Sequence, residues 1–247
     1  MRRLRHLASQ HRTLATNRLL GNLLAFNAGA INAGGFLVVG MYTSHMTGFA
    51  SMVADNLVLG NIKLVLGAVG ALLSFTTGAA ATALMVNWAR QNRLHSEYAF
   101  PLLVEAALLL LFGLIGATFN RQTPFAVPFT VLILAFIMGL QNALVTKISS
   151  ATIRTTHMTG VITDLGIELG KLIYWNRTSE PAQPQVRANR AKLWLYAGLL
   201  GAFIGGGLVG ASGFKYVGFI WVVPLASLLL LLSLPPLLAD LRHFLKI

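Results

Sequence analysis

Six long apolar stretches dominate this chain of 247 residues, at 19–41, 62–88, 99–119, 125–145, 193–214 and 216–238. A bilayer core of about 30 Å takes roughly 20 helical residues at 1.5 Å rise each. Each stretch meets that length, and Lys or Arg enters only near an end, as Lys63 does. The fifth and sixth are nearly contiguous, so Gly213 and Lys215 are expected to make a tight turn between them. Within lipid the backbone has to satisfy its own hydrogen bonds, which a helix does. Composition agrees: 55% of the residues are hydrophobic and 11% charged, against about 25% charged in a soluble domain. The expected fold is an all-α polytopic membrane bundle of about six transmembrane helices. Disorder, a disulfide scaffold and a thiol-ligated metal site are excluded, the last two because there is no cysteine.

The net charge is +12. A basic total often signals nucleic acid, but the distribution here points elsewhere. With the N-terminus placed inside, sixteen of the nineteen Lys and Arg fall on inside segments, leaving Lys63, Arg121 and Lys215 outside. That asymmetry matches the rule that basic loops stay cytoplasmic. It predicts both termini inside and a lipid bilayer, not nucleic acid, as partner. A basic lead followed by Ala28-Gly29-Ala30 has some features of a signal peptide. The apolar run continues past Ala30, so 19–41 reads as a span.

An internal repeat is the next constraint. Thr43-Ser44-His45-Met46-Thr47-Gly48 returns as Thr155-Thr156-His157-Met158-Thr159-Gly160. Upstream, Gly29-Ala30-Ile31-Asn32-Ala33 parallels Gly139-Leu140-Gln141-Asn142-Ala143, and downstream Gly67, Gly70 and Ala71 parallel Gly198, Gly201 and Ala202. The expected organisation is a basic N-terminus at 1–18, a three-span repeat at 19–119, and a second at 120–247 with a cytoplasmic linker at 176–192. Three spans are an odd number, so the second copy is expected upside down relative to the first. The segments 48–60 and 160–175 are too short for a crossing and too apolar for a plain loop. They are expected as re-entrant or interfacial half-helices, bent at Gly48 and Gly160 and capped by Thr47 and Thr159.

These residues, above all Asn32, Ser44–Gly48, Gly139–Ala143 and Arg154–Gly160, resemble the YoaK-like bacterial membrane proteins. The resemblance runs from about Gly29 to the sixth stretch. It implies a multi-pass protein of the bacterial plasma membrane, and little chemistry.

Polar residues in apolar surroundings mark the candidate site. Asn32, Thr43, His45, Thr47, Gln141, Asn142, Thr155, His157 and Thr159 are the candidate solute-binding residues. Glu105, about 9 Å into its helix by rise, and the two histidines are candidates for proton coupling. Met46 and Met158 read as packing, since one Met and one His per motif is sparse for copper, so no metal and no cofactor are expected. Asp55, Asp164 and Glu168 fall on the half-helices, with Asn56 in register with Glu168. Asn22, Asn27 and Asn32 do not form one helical stripe. The small residues of 62–88 and 193–214 are expected at close helix contacts. A phosphate loop, H-E-x-x-H and G-x-S-x-G are all missing, so no enzyme is expected. The preferred function is a small-solute secondary transporter or permease. The alternatives are a non-transporting scaffold or assembly factor, and a channel. Oligomeric state is left open.

Overall fold

The computed structural model describes residues 14–94, 96–118, 126–149, 155–176 and 185–244, and Arg121 and Arg154 lie outside them. Among the described residues there are eight α-helices: α1 (Leu14–Val39), α2 (Met46–Val58), α3 (Ile62–Gln91), α4 (Ala99–Thr118), α5 (Ala126–Ile148), α6 (Met158–Ile173), α7 (Arg190–Tyr216) and α8 (Val222–Phe244). A 3-10 turn, Gly218–Trp221, precedes α8. Six of the eight are long and apolar enough to cross a membrane, namely α1, α3, α4, α5, α7 and α8. The fold is an all-helical polytopic bundle.

Glycine brings these helices together. A Cβ on Gly29 would strike the Phe203 carbonyl, one on Gly206 the Phe26 carbonyl, and one on Gly210 the backbone of Ala30. These contacts lay α7 on α1. Likewise a Cβ on Gly78 would strike the Phe136 carbonyl and one on Gly139 the Phe75 carbonyl, which lays α3 on α5. Further along, Gly198 faces Asn22 and Gly70 faces Leu132. Each approach between α1 and α7 therefore has a counterpart between α5 and α3. Gly70, not Gly67, stands opposite Gly198 in this register. Gly67, Gly201 and Gly205 face open space, so small residues at these three positions do not mark contacts.

The directions of the helices follow from the same contacts. Residue numbers rise together along α1 and α7 and along α3 and α5, so each pair is parallel. The Gln141 amide Nε2 donates to the Leu24 carbonyl at 2.8 Å, while Gly35 abuts Leu134. Numbers fall on one helix as they rise on the other, so α1 and α5 are antiparallel. Gly113 beside Val222 and the Ser96 N–H donating to Asp240 Oδ2 at 2.9 Å make α4 and α8 antiparallel as well. Since α3 is parallel to α5, it runs opposite to α1. Only one reversal separates α1 from α3, so α2 between them does not cross. The same reasoning applies to α6 between α5 and α7. Their 13 and 16 residues give about 20 and 24 Å of helix, short of a bilayer core.

Burial has the same pairing. In the most apolar window, 56% of α1 and 61% of α5 are buried, 44% of α4 and 39% of α8, and 22% of α3 and 17% of α7. Thus α1 and α5 form the centre and α3 and α7 the flanks. Basic residues gather at one end of this bundle. Arg18 donates to the Ala191 carbonyl at the start of α7, Lys147 donates to Asn87, and Arg90 pairs with Glu97 at 2.7 Å. Lys63 and Lys215 lie at the other end of their helices.

Two local expectations are corrected. The turn between α7 and α8 is made by Gly218 at φ 77°, the left-handed region that glycine enters freely. Gly213 instead lies against the Trp221 ring. The linker expected at 176–192 ends earlier, because Asn189 caps α7 by accepting from the N–H groups of Ala191 and Lys192, both at 3.1 Å. Residues 177–184 of that linker lie outside the described residues.

Glycine contact and glycine exposure predict opposite signs for one kind of substitution. Gly206→Ala or Gly78→Ala should cost about 1–3 kcal/mol through overpacking against a carbonyl. Gly201→Ala, facing open space, should gain roughly 0.5–1 kcal/mol from helix propensity. Thermal unfolding of the purified protein in mild detergent measures both.

Candidate functional site

The two repeated motifs form the elbows that lead into α2 and α6. In each, histidine is the N-cap, His45 for α2 and His157 for α6, without a side-chain capping bond. Thr47 and Thr159 therefore do not cap; they sit in the first turn and are exposed. The role of the motif glycine is also different from the bend expected. A Cβ on Gly48 would collide with the His45 ring, and one on Gly160 with the His157 ring. Glycine three residues after histidine makes room for the imidazole to fold over the first turn. Both histidines remain exposed.

The opening threonines point inward. Thr43 and Thr155 are fully buried, and neither hydroxyl has a partner among the described residues. Thr43 Oγ1 lies near Gly35 of α1, which also touches Leu134 of α5. Asn32 ties the first elbow to α1, since its Oδ1 accepts from the Ser44 hydroxyl at 2.9 Å and the Ser44 N–H at 3.3 Å.

The α1–α5 seam carries more of the same chemistry. Gln141 spends its Nε2 on Leu24, but its Oε1 is buried and has no partner among the described residues, as is true of Asn142 Oδ1. Asn27 is one helical turn beyond Leu24 and so on the side that meets α5. It is fully buried, and neither amide atom has a partner among the described residues. The three asparagines of α1 do face different ways: Asn22 meets α7, Asn27 the core and Asn32 the elbow. Glu105 of α4 is also fully buried, and neither oxygen has a partner among the described residues. The elements thus bring Asn27, Gln141, Asn142, Thr43 and Thr155 inward, while His45, His157, Thr47 and Thr159 stay at the surface. α2 and α6 do not pack on each other, for α2 lies on α3 and α6 on α7.

A matched pair of tethers holds the half-helices. Buried Asn56 of α2 accepts from Asn61 Nδ2 at 3.4 Å, and Asn61 is the N-cap of α3. In register with it, buried Glu168 of α6 accepts from the N–H of Asn189 at 2.7 Å, and Asn189 is the N-cap of α7. Glu168 also pairs with Lys171 at 2.9 Å. Lys171, then the Asn189 N–H, hold its carboxyl below the ordinary carboxylate range. Asp55 and Asp164 are exposed. The tethers were visible only as an Asn56/Glu168 register, and the missing signal was the capping asparagine that follows each half-helix.

A family model described as "Protein of unknown function (DUF1275)" matches residues 20–234. The chain belongs to this family. The match takes in both elbows and nearly all of the six long helices, and it agrees with the YoaK-like resemblance. No curated protein and no solved structure matches this DUF1275 member. It is a multi-pass membrane protein.

Because the carboxyl of Glu168 is depressed in the folded state, its tether is intact above the unfolded carboxylate range and is lost as pH falls through the folded value. Amide protection in α6, corrected for intrinsic exchange, should therefore drop in acid while that of α2, held by a neutral amide, does not. Glu168→Gln should flatten the pH response. Hydrogen exchange read by mass spectrometry checks all three.

Proposed function

We propose that this protein is a small-solute secondary transporter of the inner membrane, with both termini cytoplasmic and its two halves acting as inverted repeats. The observation that carries the reading is the set of unpartnered polar atoms on the central seam and at the two buried threonines. A buried polar atom without a partner costs about 1–3 kcal/mol. Six such atoms, on Asn27, Gln141, Asn142, Thr43 and Thr155, make a costly core for a purely structural bundle. A solute that meets them recovers that cost.

The antiparallel pairs α1/α5 and α4/α8, and the exchange-matched contacts of α1/α7 and α3/α5, support an axis in the membrane plane through this seam. Rocking about that axis opens one elbow to one side and the other elbow to the other. Thr43 and Thr155 are the inward faces of these two gates. Glu105, the buried acid, carries the coupling proton in this reading, and the exposed histidines serve the elbows instead.

Cysteine labelling tests it, because the chain has no cysteine of its own. Thr43→Cys should react with a membrane-impermeant maleimide from outside only, and Thr155→Cys from the cytoplasmic side only. Reaction of both from one side contradicts the inverted arrangement. Reaction of each from both sides indicates a channel. No reaction from either side indicates a closed scaffold.

A further inference from the structure

A cavity of about 430 Å³ opens between α2, α3 and α5, walled by Met41, Phe49, Met52, Gly67 and Val131, with Lys63 as its one charged lining residue. We propose that this cavity is a binding site for an anionic phospholipid, its phosphate on Lys63 and an acyl chain along the methionine wall. The site is separate from the α1–α5 seam and does not rest on the transport reading.

The first support is a departure from the pairing of the two halves. Gly70 stands opposite Gly198 in the contact register, and Asn61 and Asn189 cap the paired helices α3 and α7. In that register Gly67 and Ala68 occupy the places of Leu195 and Tyr196. On α7, Tyr196 is buried in the core and Leu195 packs against it. Large side chains fill the space in the second half. In the first half the same space is left open, and a Cβ on Gly67 would meet nothing within 4 Å.

Charge is the second support. Lys63 makes no ion pair among the described residues, and the register gives its place on α7 to Ala191. The cation is thus particular to the open half. It stands at the first turn of α3, where a lysine stem runs along apolar surface and its ammonium reaches the headgroup level. A lysine there attracts lipid phosphate.

The third support is the surroundings. Ile62, Leu64 and Leu66, which adjoin the opening, are 56%, 49% and 66% exposed, as lipid-facing residues are. An apolar cavity with a lipid-facing mouth admits a hydrocarbon chain more readily than water, and thioether side chains adapt to its shape. The fit is to one chain and one phosphate, not to a protein helix, because the open space is small and the rim carries a single charge.

Thermal unfolding of the full-length protein in mild detergent, with added phosphatidylglycerol or phosphatidylcholine, tests the site. Phosphatidylglycerol should raise the wild-type midpoint and phosphatidylcholine should not. Lys63→Gln should weaken the phosphatidylglycerol response about tenfold in lipid concentration. Gly67→Leu, which fills the cavity as Leu195 does on α7, should abolish the response. Met52→Trp fills the cavity from the opposite wall and serves if the glycine variant does not fold. An equal response to both lipids, or a full phosphatidylglycerol response in whichever filled variant folds, overturns the proposal.

Discussion

Backbone-to-backbone contact through glycine is the interaction on which this bundle depends. Lipid tails are as apolar as leucine, so burying side chains between helices gains little over leaving them in the membrane. Close approach supplies dispersion contacts that a larger residue would prevent. Here the approach joins α7 to α1 at Gly29, Gly206 and Gly210, and α3 to α5 at Gly78 and Gly139. Each contact reaches from one half of the chain to the other. Neither half keeps its own second crossing helix beside its first, so the two halves form one interlocked body.

That interlocking fixes where the motifs lie. With α3 parallel to α5 and α7 parallel to α1, the chain has one reversal to make between the first and second crossings of each half. A turn would suffice, yet each half spends a helix there. α2 and α6 lie against α3 and α7 and are fastened to the capping asparagine of the helix they precede. The elbows come at opposite ends of an antiparallel pair, and their threonines turn toward that pair. The polar chemistry of the protein is thereby drawn from its surface motifs to its most buried helices.

Much of this was legible in the sequence because length and apolarity report membrane spans directly. The expected stretch at 62–88 is α3 to within its last turn, and 48–60 and 160–175 overlap α2 and α6 closely. What was not legible is helical phase. Gly67 and Gly78 are both small residues in one apolar run, yet one faces open space and the other a carbonyl, and only the partner's position distinguishes them. The elbow shows the same limit. Threonine, histidine and glycine each suit a helix start, and spacing does not say which side chain turns inward. The structure sends Thr43 in, leaves His45 out and makes Gly48 the space for its ring. Asn27 stood beside Asn22 and Asn32 as one polar residue among three. Its place on the face toward α5 is set by the helix register in which Gln141 reaches Leu24, which spacing along α1 alone does not give.

The two halves make matching helix-to-helix contacts and differ in side-chain chemistry, and the differences are where each half acquires its own properties. Thr82 donates its hydroxyl to the Leu140 carbonyl at 2.8 Å, while at the matching approach Gly210 meets Ala30 with no side chain at all. A hydrogen bond closes one approach and a bare glycine the other: α3 and α5 leave room for Thr82, whereas α1 and α7 come too close for a Cβ at 210. The tethers follow the same logic. An amide pair, Asn56 and Asn61, fastens α2, and a carboxylate with a lysine beside it fastens α6. Both do the same mechanical work, but only the second responds to protons and salt, because only it is charged. The half-helices are thus equal in position and unequal in sensitivity. The tether that senses protons and salt is the one on α6, at the basic end of the bundle, and the neutral one fastens α2 at the other.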